Sequence, residues 1–538
     1  MTIATRSPEA HCTRGLVATP HLLASETGVA VMRQGGNALD AAIAAAATIA
    51  VVYPHMNGIG GDNVWLIYDA ARGQLRGLNA AGRAAAAVDR ERYLARFGPA
   101  IPVRGGVAAL TVPGTVSGWA AAHAYSRDVM QSSLAWGELL ADAVHHAREG
   151  MAVSAGQRRV TAAAADLFSA AADADIRRSL WPIYHPARLA AERFVQSDLA
   201  TTLERVARDG AEEFYRGATA RRIAEAAAVA GSPLTAADLA EHRADWVEPL
   251  RLRYREGEAV SLPPPTQGFA ALMILALLEG FDVAALSDAD HVHLAVEATK
   301  LALQDRDRYL ADPTIVDVPV AHCLDPDRLA RRRALISRRA ARPVDGLPAD
   351  GDTIAIVTAD ADGNAVSMIQ SRYHEFGSGV VAGDTGVLLQ NRGAYFSLDP
   401  RHPNHLAPRK RTAHTLIPSL YLVGGRPRFV YGTMGGDGQP QTQAALVTRV
   451  VDRGLGPQAA IEAPRWLFGR TWGETSRGLR VENRFAPGVA DELRRRGHDV
   501  QVVEAWSDLM GHAQLIRLDG DDLRGGSDPR ADGAALGV

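Results

Sequence analysis

The sequence predicts a mixed α+β protein, and three observations lead there. From Trp136 to Ile336 the chain is rich in alanine and arginine, with apolar residues at helical spacing, as in "LAWGELLADAVHHAREG" and "ADHVHLAVEATKLALQDRDRYLADP". After Asp352 the pattern changes to short alternating runs, "TIAIVTAD", "NAVSMIQS", "SLYLVGG" and "PRFVYGT", which read as strands, with "DADGN" as a hairpin turn. Near the N-terminus, a strand from Val64 to Tyr68 and a second one after "AARG" form a further hairpin pattern.

Each element has a local reason. "AAIAAAATIAVVY", Ala41 to Tyr53, is an apolar run of 13 residues, too short to span a bilayer, which takes about 20, and so a buried helix. Gly35-Gly36 breaks the helical pattern ahead of it, and Asn37 or Asp40 can cap the helix that follows. Gly58, Gly60 and Gly61 follow a helix and precede a strand, the reverse of a dinucleotide fingerprint, so they make a tight turn with close backbone packing. Pro263 to Pro265 exclude an interior helix or central strand, and an apolar helix follows them. "SRRAARPVDGLPADGD", Ser337 to Asp352, is polar and aperiodic, a surface linker in which scission is tolerated. Helices return at Gln441 to Arg453 and Val489 to Arg496. Thr353 opens the strand after the linker, and taken alone it is a β-branched residue in a structural role.

Composition excludes several classes. At 538 residues the chain is expected to form two or three domains, or one large composite. A net charge of −3 from 58 basic and 61 acidic residues gives no field for holding nucleic acid or anionic lipid, so neither is an expected partner. Cys12 and Cys323 are the only cysteines, which rules out a disulfide framework and a cysteine-rich metal site. With no signal-peptide pattern at the N-terminus, the expected location is cytoplasmic.

Eight blocks, in order, resemble the γ-glutamyltranspeptidase family of N-terminal nucleophile hydrolases: "ASETGVAVMRQGGNALDAAIAAA", "GIGGDNVWLIYD", "VPGTVSGW", "LPPPTQG", "LALQDRDRYLADP", "GDTIAIVTADADGNAV", "FGSGVVAGDTGVLLQN" and "GTMGGDGQPQ". The resemblance implies a four-layer αββα sandwich and a precursor that cuts itself at Asp352-Thr353. The products would be a heavy chain, 1–352, and a light chain, 353–538, beginning with the nucleophile Thr353. A terminal threonine serves as its own base, because an α-amine with a pKa of about 8 can take the hydroxyl proton. The resemblance also places Ser371 as the hydroxyl that orients Thr353, and the amides of Gly435 and Gly436 as the oxyanion donors. No metal or other cofactor is implied.

The substrate pocket departs from the family pattern. Ala81 stands where the family carries an arginine, and Arg83, two residues on, keeps the same face of an extended segment. Tyr373 replaces an asparagine, Arg392 and Tyr395 replace a glutamine and an aspartate, and His414-Thr415 replace a serine pair. These exchanges remove the carboxylate that would pair a substrate ammonium and leave a cationic pocket. Only twelve residues, Leu398 to Arg409, separate "FS" from "KR", so a covering loop is not expected and water should enter. The pattern is similar to a branch that includes an oxamate amidohydrolase. The expected function is therefore hydrolysis of a small anionic amide such as oxamate, through an acyl-enzyme, with water as the second substrate. Two alternatives stand behind it: a γ-glutamyltransferase or glutathione hydrolase, and an inactive homologue that only binds. A metallohydrolase is a further rival, since His55, His374, His402, His405 and His414 are available, but no His-x-x-x-His pair with a helical glutamate occurs. A higher oligomer remains open.

Overall fold

The computed structural model describes residues 6–170, 174–343, 352–469 and 478–538. Most of the linker, 344–351, lies outside the described residues. Two seven-stranded antiparallel sheets dominate. The first runs, in spatial order, Ala534–Gly537, Gly15–Thr19, Asp352–Asp360, Ala365–Tyr373, Asp62–Asp69, Gln74–Asn79 and Asp245–Val247. The second runs Ala10–Cys12, Asp522–Ser527, Ala513–Asp519, Arg426–Thr433, Ser419–Val423, Gly257–Ser261 and Leu250–Tyr254. Both sheets mix strands from before and after the Asp352-Thr353 bond.

Strand alternation sorts the side chains into layers. Val64, Leu66, Ala355, Val357 and Ile369 of the first sheet meet Val260, Leu420, Leu422, Val430 and Ile516 of the second in one buried cluster. Residues of opposite parity, Trp65, Ile67, Ile354, Ile356 and Met368, pack instead with the helices Leu22–Arg33 and Ala38–Val52. Behind the second sheet, Tyr421, Phe429 and Tyr431 pack with Gly268–Leu278, Asp288–Tyr309 and Gln439–Val447. The order is helix, sheet, sheet, helix, as the resemblance implies.

Local chemistry explains the elements nearest the site. Every residue of Ala38–Val52 is buried, which is why its sequence is apolar all round. Its start uses both candidate caps: Asn37 accepts from the amides of Leu39 and Asp40, and the Asp40 carboxylate accepts from the Asn37 amide. The glycine turn is forced by proximity, since a Cβ on Gly61 would lie 2.2 Å from the carbonyl oxygen of Ser371. Among the described residues no helix is long and apolar enough to cross a membrane.

One polar contact ties the sheets together. The Ser367 hydroxyl donates to the Tyr431 carbonyl at 2.9 Å and accepts from the Ser419 amide at 3.1 Å. Ser367→Ala leaves that buried amide without an acceptor and is expected to destabilise the protein by about 1–3 kcal/mol. The measurement is the urea midpoint against wild type; an unchanged midpoint contradicts the assignment.

Candidate active site

The predicted residues other than Arg83 converge at one end of the gap between the sheets. Pairing between the strands Asp352–Asp360 and Ala365–Tyr373 joins Asp352 to Tyr373 and then Ile354 to Gln370. Thr353 therefore lies opposite a bulge formed by Ser371-Arg372. On the other side of the same strand Ser371 lies directly across from Asp62. Ser371 and Asp62 share the parity of Ile369 and Val64, so both face the second sheet. That sheet brings Gly435-Gly436 two residues beyond the end of its Arg426–Thr433 strand, and His414-Thr415 just ahead of its Ser419–Val423 strand.

Thr353 is 1% exposed, and its Oγ1 has no hydrogen-bond partner among the described residues. Ser371 Oγ accepts from the Tyr373 amide at 2.8 Å and from Arg392 Nη2 at 3.2 Å. With both lone pairs taken, this hydroxyl can only donate.

Arg392 is wholly buried. It donates to Ser371 Oγ and, through Nη1, to Thr415 Oγ1 at 3.2 Å, and its guanidinium lies 4.4 Å from the centre of the Tyr373 ring. Tyr395 backs that ring at 5.5 Å. No carboxylate among the described residues forms an ion pair with Arg392. Burial lowers its pKa to about 10, against the pull of Tyr373 and Asp62, so the cation persists at neutral pH. A buried guanidinium served by two hydroxyls and a ring is poised to accept an anion. Arg372 is also buried, but the alternation of the strand puts it on the opposite face, where Tyr184 meets it.

Sequence reading missed Asp62. Its Oδ1 accepts from the amides of Gly82 at 2.9 Å and Gly114 at 3.1 Å and from Gln390 Nε2 at 3.1 Å, while Oδ2 lies 3.2 Å from His414 Nε2. Burial alone would raise the carboxyl, but the His414 contact, the Arg392 charge and the Gly82 amide hold it below the ordinary carboxylate range. His414 moves down to about 4, first through burial and then through the Arg392 charge, with Asp62 opposing. The pair is therefore a neutral imidazole and a carboxylate.

The glycine pair is held by a second network that sequence reading also missed. Gly435 has φ +132° and Gly436 φ +50°, conformations that side chains disfavour. Neither amide donates to a described carbonyl or side chain. Gln267 Nε2 donates to the carbonyls of Gly436 and Thr415, each at 3.0 Å. Arg306 Nη1 joins Gln267 Oε1 at 2.8 Å to Asp437 Oδ1 at 2.6 Å. Three of the quoted sequence blocks thus meet behind one loop. The signals in the sequence were faint: Gln267 and Asp437 beside glycine, and Arg306 between two aspartates.

Arg83 is not brought to this group. Its Nη1 donates to Asp312 Oδ2 at 3.3 Å and to the Arg409 carbonyl at 3.2 Å, and its Nη2 lies 3.8 Å from Asp245. It lines a separate cleft of about 350 Å³ with Asp238, Glu241 and Arg411. The acids of its own surroundings, Asp312 and Asp245, hold the guanidinium. His402 and His405 organise their loop: His402 Nδ1 accepts from the Asn404 amide, and His405 Nδ1 donates to the His402 carbonyl. Among the described residues the one cluster with metal-ligand spacing is His293, Glu297 and His498, none of them a sequence candidate. Its atoms are engaged already, His293 with His498 at 2.8 Å and Glu297 with Lys300 at 2.7 Å.

Comparison with known proteins agrees with this geometry. The gamma-glutamyltranspeptidase family model matches residues 24–538. The chain belongs to the γ-glutamyltranspeptidase family. It is accordingly an enzyme, a hydrolase of the N-terminal nucleophile type. This family member is 44% identical to the "Glutathione hydrolase-like YwrD proenzyme" of Bacillus subtilis, over 98% of this chain and 99% of that one. It is 45% identical to the "Oxamate amidohydrolase proenzyme" of Klebsiella pneumoniae, over 98% of each chain. Among solved structures it resembles the cephalosporin acylase of Bacillus halodurans, with TM-score 0.91, 36% identity, and coverage of 100% of this chain and 98% of that one.

The buried histidines of this family member make its stability depend on pH. His21, His242, His374 and His414 all titrate at about 4, chiefly because burial disfavours their charged form. Unfolded histidines titrate near about 6.5, so between these values the unfolded chain holds more protons and stability rises with pH. The stabilisation is complete above pH 6.5 and is lost as pH falls towards 4. Urea unfolding at half-unit pH steps checks this; a flat profile over that window contradicts it.

Proposed function

We propose that this enzyme cuts itself between Asp352 and Thr353 and then hydrolyses a small anionic amide, with oxamate as the best match. The observation that carries the substrate class is Arg392, a buried cation without a carboxylate partner among the described residues, on the hydroxyl of Ser371 in the bulge opposite the nucleophile. A substrate carboxylate supplies the missing anion. The name of the Klebsiella relative points to the same chemistry.

Scission gives the heavy chain 1–352 and the light chain 353–538, and turns the Thr353 amide into an amine. That amine takes the Thr353 hydroxyl proton as Oγ1 attacks the substrate's amide carbonyl, while the Ser371 hydroxyl donates to Oγ1 and holds its direction. The Gly435 and Gly436 amides receive the developing oxyanion. The substrate's C–N bond breaks as its nitrogen takes the proton from the Thr353 amine and leaves as ammonia, and an ester on Thr353 remains. Water, deprotonated by the same amine, then hydrolyses the ester. Tyr373 and Tyr395 wall the Arg392 side of the pocket, and Thr415 helps orient the guanidinium.

The loop Leu398–Arg409 supports hydrolysis over transfer. It folds on itself, with the Ser397 amide donating to the Asn404 carbonyl, the Leu406 amide to the Ser397 carbonyl, and Lys410 Nζ to the Pro403 carbonyl. A γ-glutamyl substrate, the alternative, needs an acid for its ammonium. Asp437 is held by Arg306, and Asp62 by three donors and His414.

Thr353→Ala should leave one chain of full length on a denaturing gel and abolish ammonia release from oxamate. In wild type, N-terminal sequencing of the smaller chain should begin with Thr353-Ile354. Scission that persists in the variant rejects Thr353. Arg392→Gln should still be cleaved but raise KM for oxamate about 10- to 100-fold, the loss of a charge-assisted pair. A KM unchanged in that variant rejects the carboxylate site.

A further inference from the structure

His414 and Asp62 carry more information than their place in the pocket. The inference rests on the reading of the site as an amide-hydrolysing one and adds how it tells an amide from an acid. A neutral imidazole has one N–H and one lone pair, and the partner of one nitrogen decides which is which. Here Nε2 faces Asp62 Oδ2 at 3.2 Å, and an anionic carboxylate only accepts. The proton therefore sits on Nε2. Nδ1 is left as an acceptor, buried and without a donor among the described residues. The Arg392 charge acts on this imidazole, and Arg392 bonds the neighbouring Thr415, while Asp62 and Ser371 lie directly across from each other.

We infer that His414 Nδ1 accepts a hydrogen bond from the substrate's amide N–H, and that Asp62 sets this role by fixing the imidazole tautomer. In oxamate the carboxylate goes to Arg392 and the amide nitrogen lies next to it, with two N–H groups to offer. In the product, oxalate, an oxygen takes that place and meets a lone pair instead of a donor. The same nitrogen that selects the amide thus repels the acid and speeds its release. Asp62 acts through His414 and is a positioning residue.

The surroundings of Asp62 make the tautomer testable. Oδ1 already accepts from Gly82, Gly114 and Gln390, so in Asp62→Asn the amide oxygen has to occupy that position. The amide NH2 then faces His414 Nε2, which must become the acceptor, and the imidazole proton moves to Nδ1. An acceptor turns into a donor with little change of shape.

The experiment uses the self-cleaved wild type and Asp62→Asn, with oxamate and oxalate as probes. 15N-histidine labelling supplies a readout independent of turnover, the His414 signals being identified by their loss in His414→Gln. Wild type should show an unprotonated Nδ1 and a protonated Nε2; the reverse overturns the inference whether or not oxamate is a substrate. In Asp62→Asn the KM for oxamate should rise about tenfold, or its Kd by calorimetry if there is no turnover, while oxalate binding tightens. Equal weakening of both ligands, or an unchanged ratio between them, overturns it. If Asp62→Asn does not accumulate as cleaved protein, oxalate titrated into labelled wild type decides: no perturbation of His414 Nδ1 overturns the contact. Failure of the amidohydrolase reading shows separately, as no ammonia from oxamate in wild type.

Discussion

Four donors converge on the buried carboxylate of Asp62, and the site is assembled around it. Through Gly82 it fixes the segment that leaves the Gln74–Asn79 strand, and through Gly114 the start of the helix Thr115–Asp128. Through Gln390, whose amide also reaches the Val112 carbonyl at 3.1 Å, it fixes the segment that carries Arg392. A lone carboxylate in this position would be too costly to keep ionised, and with these partners it stays below its ordinary range. Its position across from Ser371 transmits that order to the neighbouring strands. Arg392 and Asp62 form no ion pair with each other, although both are buried and the charge of the one acts on the other.

Much of the fold was legible because periodicity is a local property. The hairpins, the all-round apolar helix Ala38–Val52 and the change from helices to strands at the linker all appear where spacing and turn residues place them. The glycine pair and Ser371 were picked out by the resemblance alone. Asp62 was not, although it stood inside one of the eight resembling blocks. Its partners lie 20, 52, 328 and 352 positions away, and nothing in the neighbouring residues points to them. The same limit applies to Arg83: alternation gives the face of an extended residue, but Asp312, 229 positions on, competes for the guanidinium. Arg306, Gln267 and Asp437 form one network only after three distant segments have packed.

Overall similarity does not choose the substrate. A glutathione hydrolase-like relative and an oxamate amidohydrolase stand at 44% and 45% identity over nearly the whole chain. The distinction falls to a few buried groups. An amino-acid substrate brings a cation as well as an anion, and of the nearby acids Asp62 is taken by four donors and Asp437 is paired with Arg306. On the proposed reading, a small amide with one carboxylate asks only for a cation such as Arg392, and the neutral His414 adds polarity without charge.

The mixed parentage of the two sheets has a consequence for how such a molecule can be made. Gly15–Thr19 hydrogen-bonds on one edge to Asp352–Asp360 and on the other to Ala534–Gly537, so a segment from the front of the chain is enclosed by two from the back. Halves translated from separate messages would each expose unpaired β edges, prone to stick to one another before they met. Continuity of the backbone is therefore a requirement of assembly, and a break is tolerable only after the strands have closed around one another.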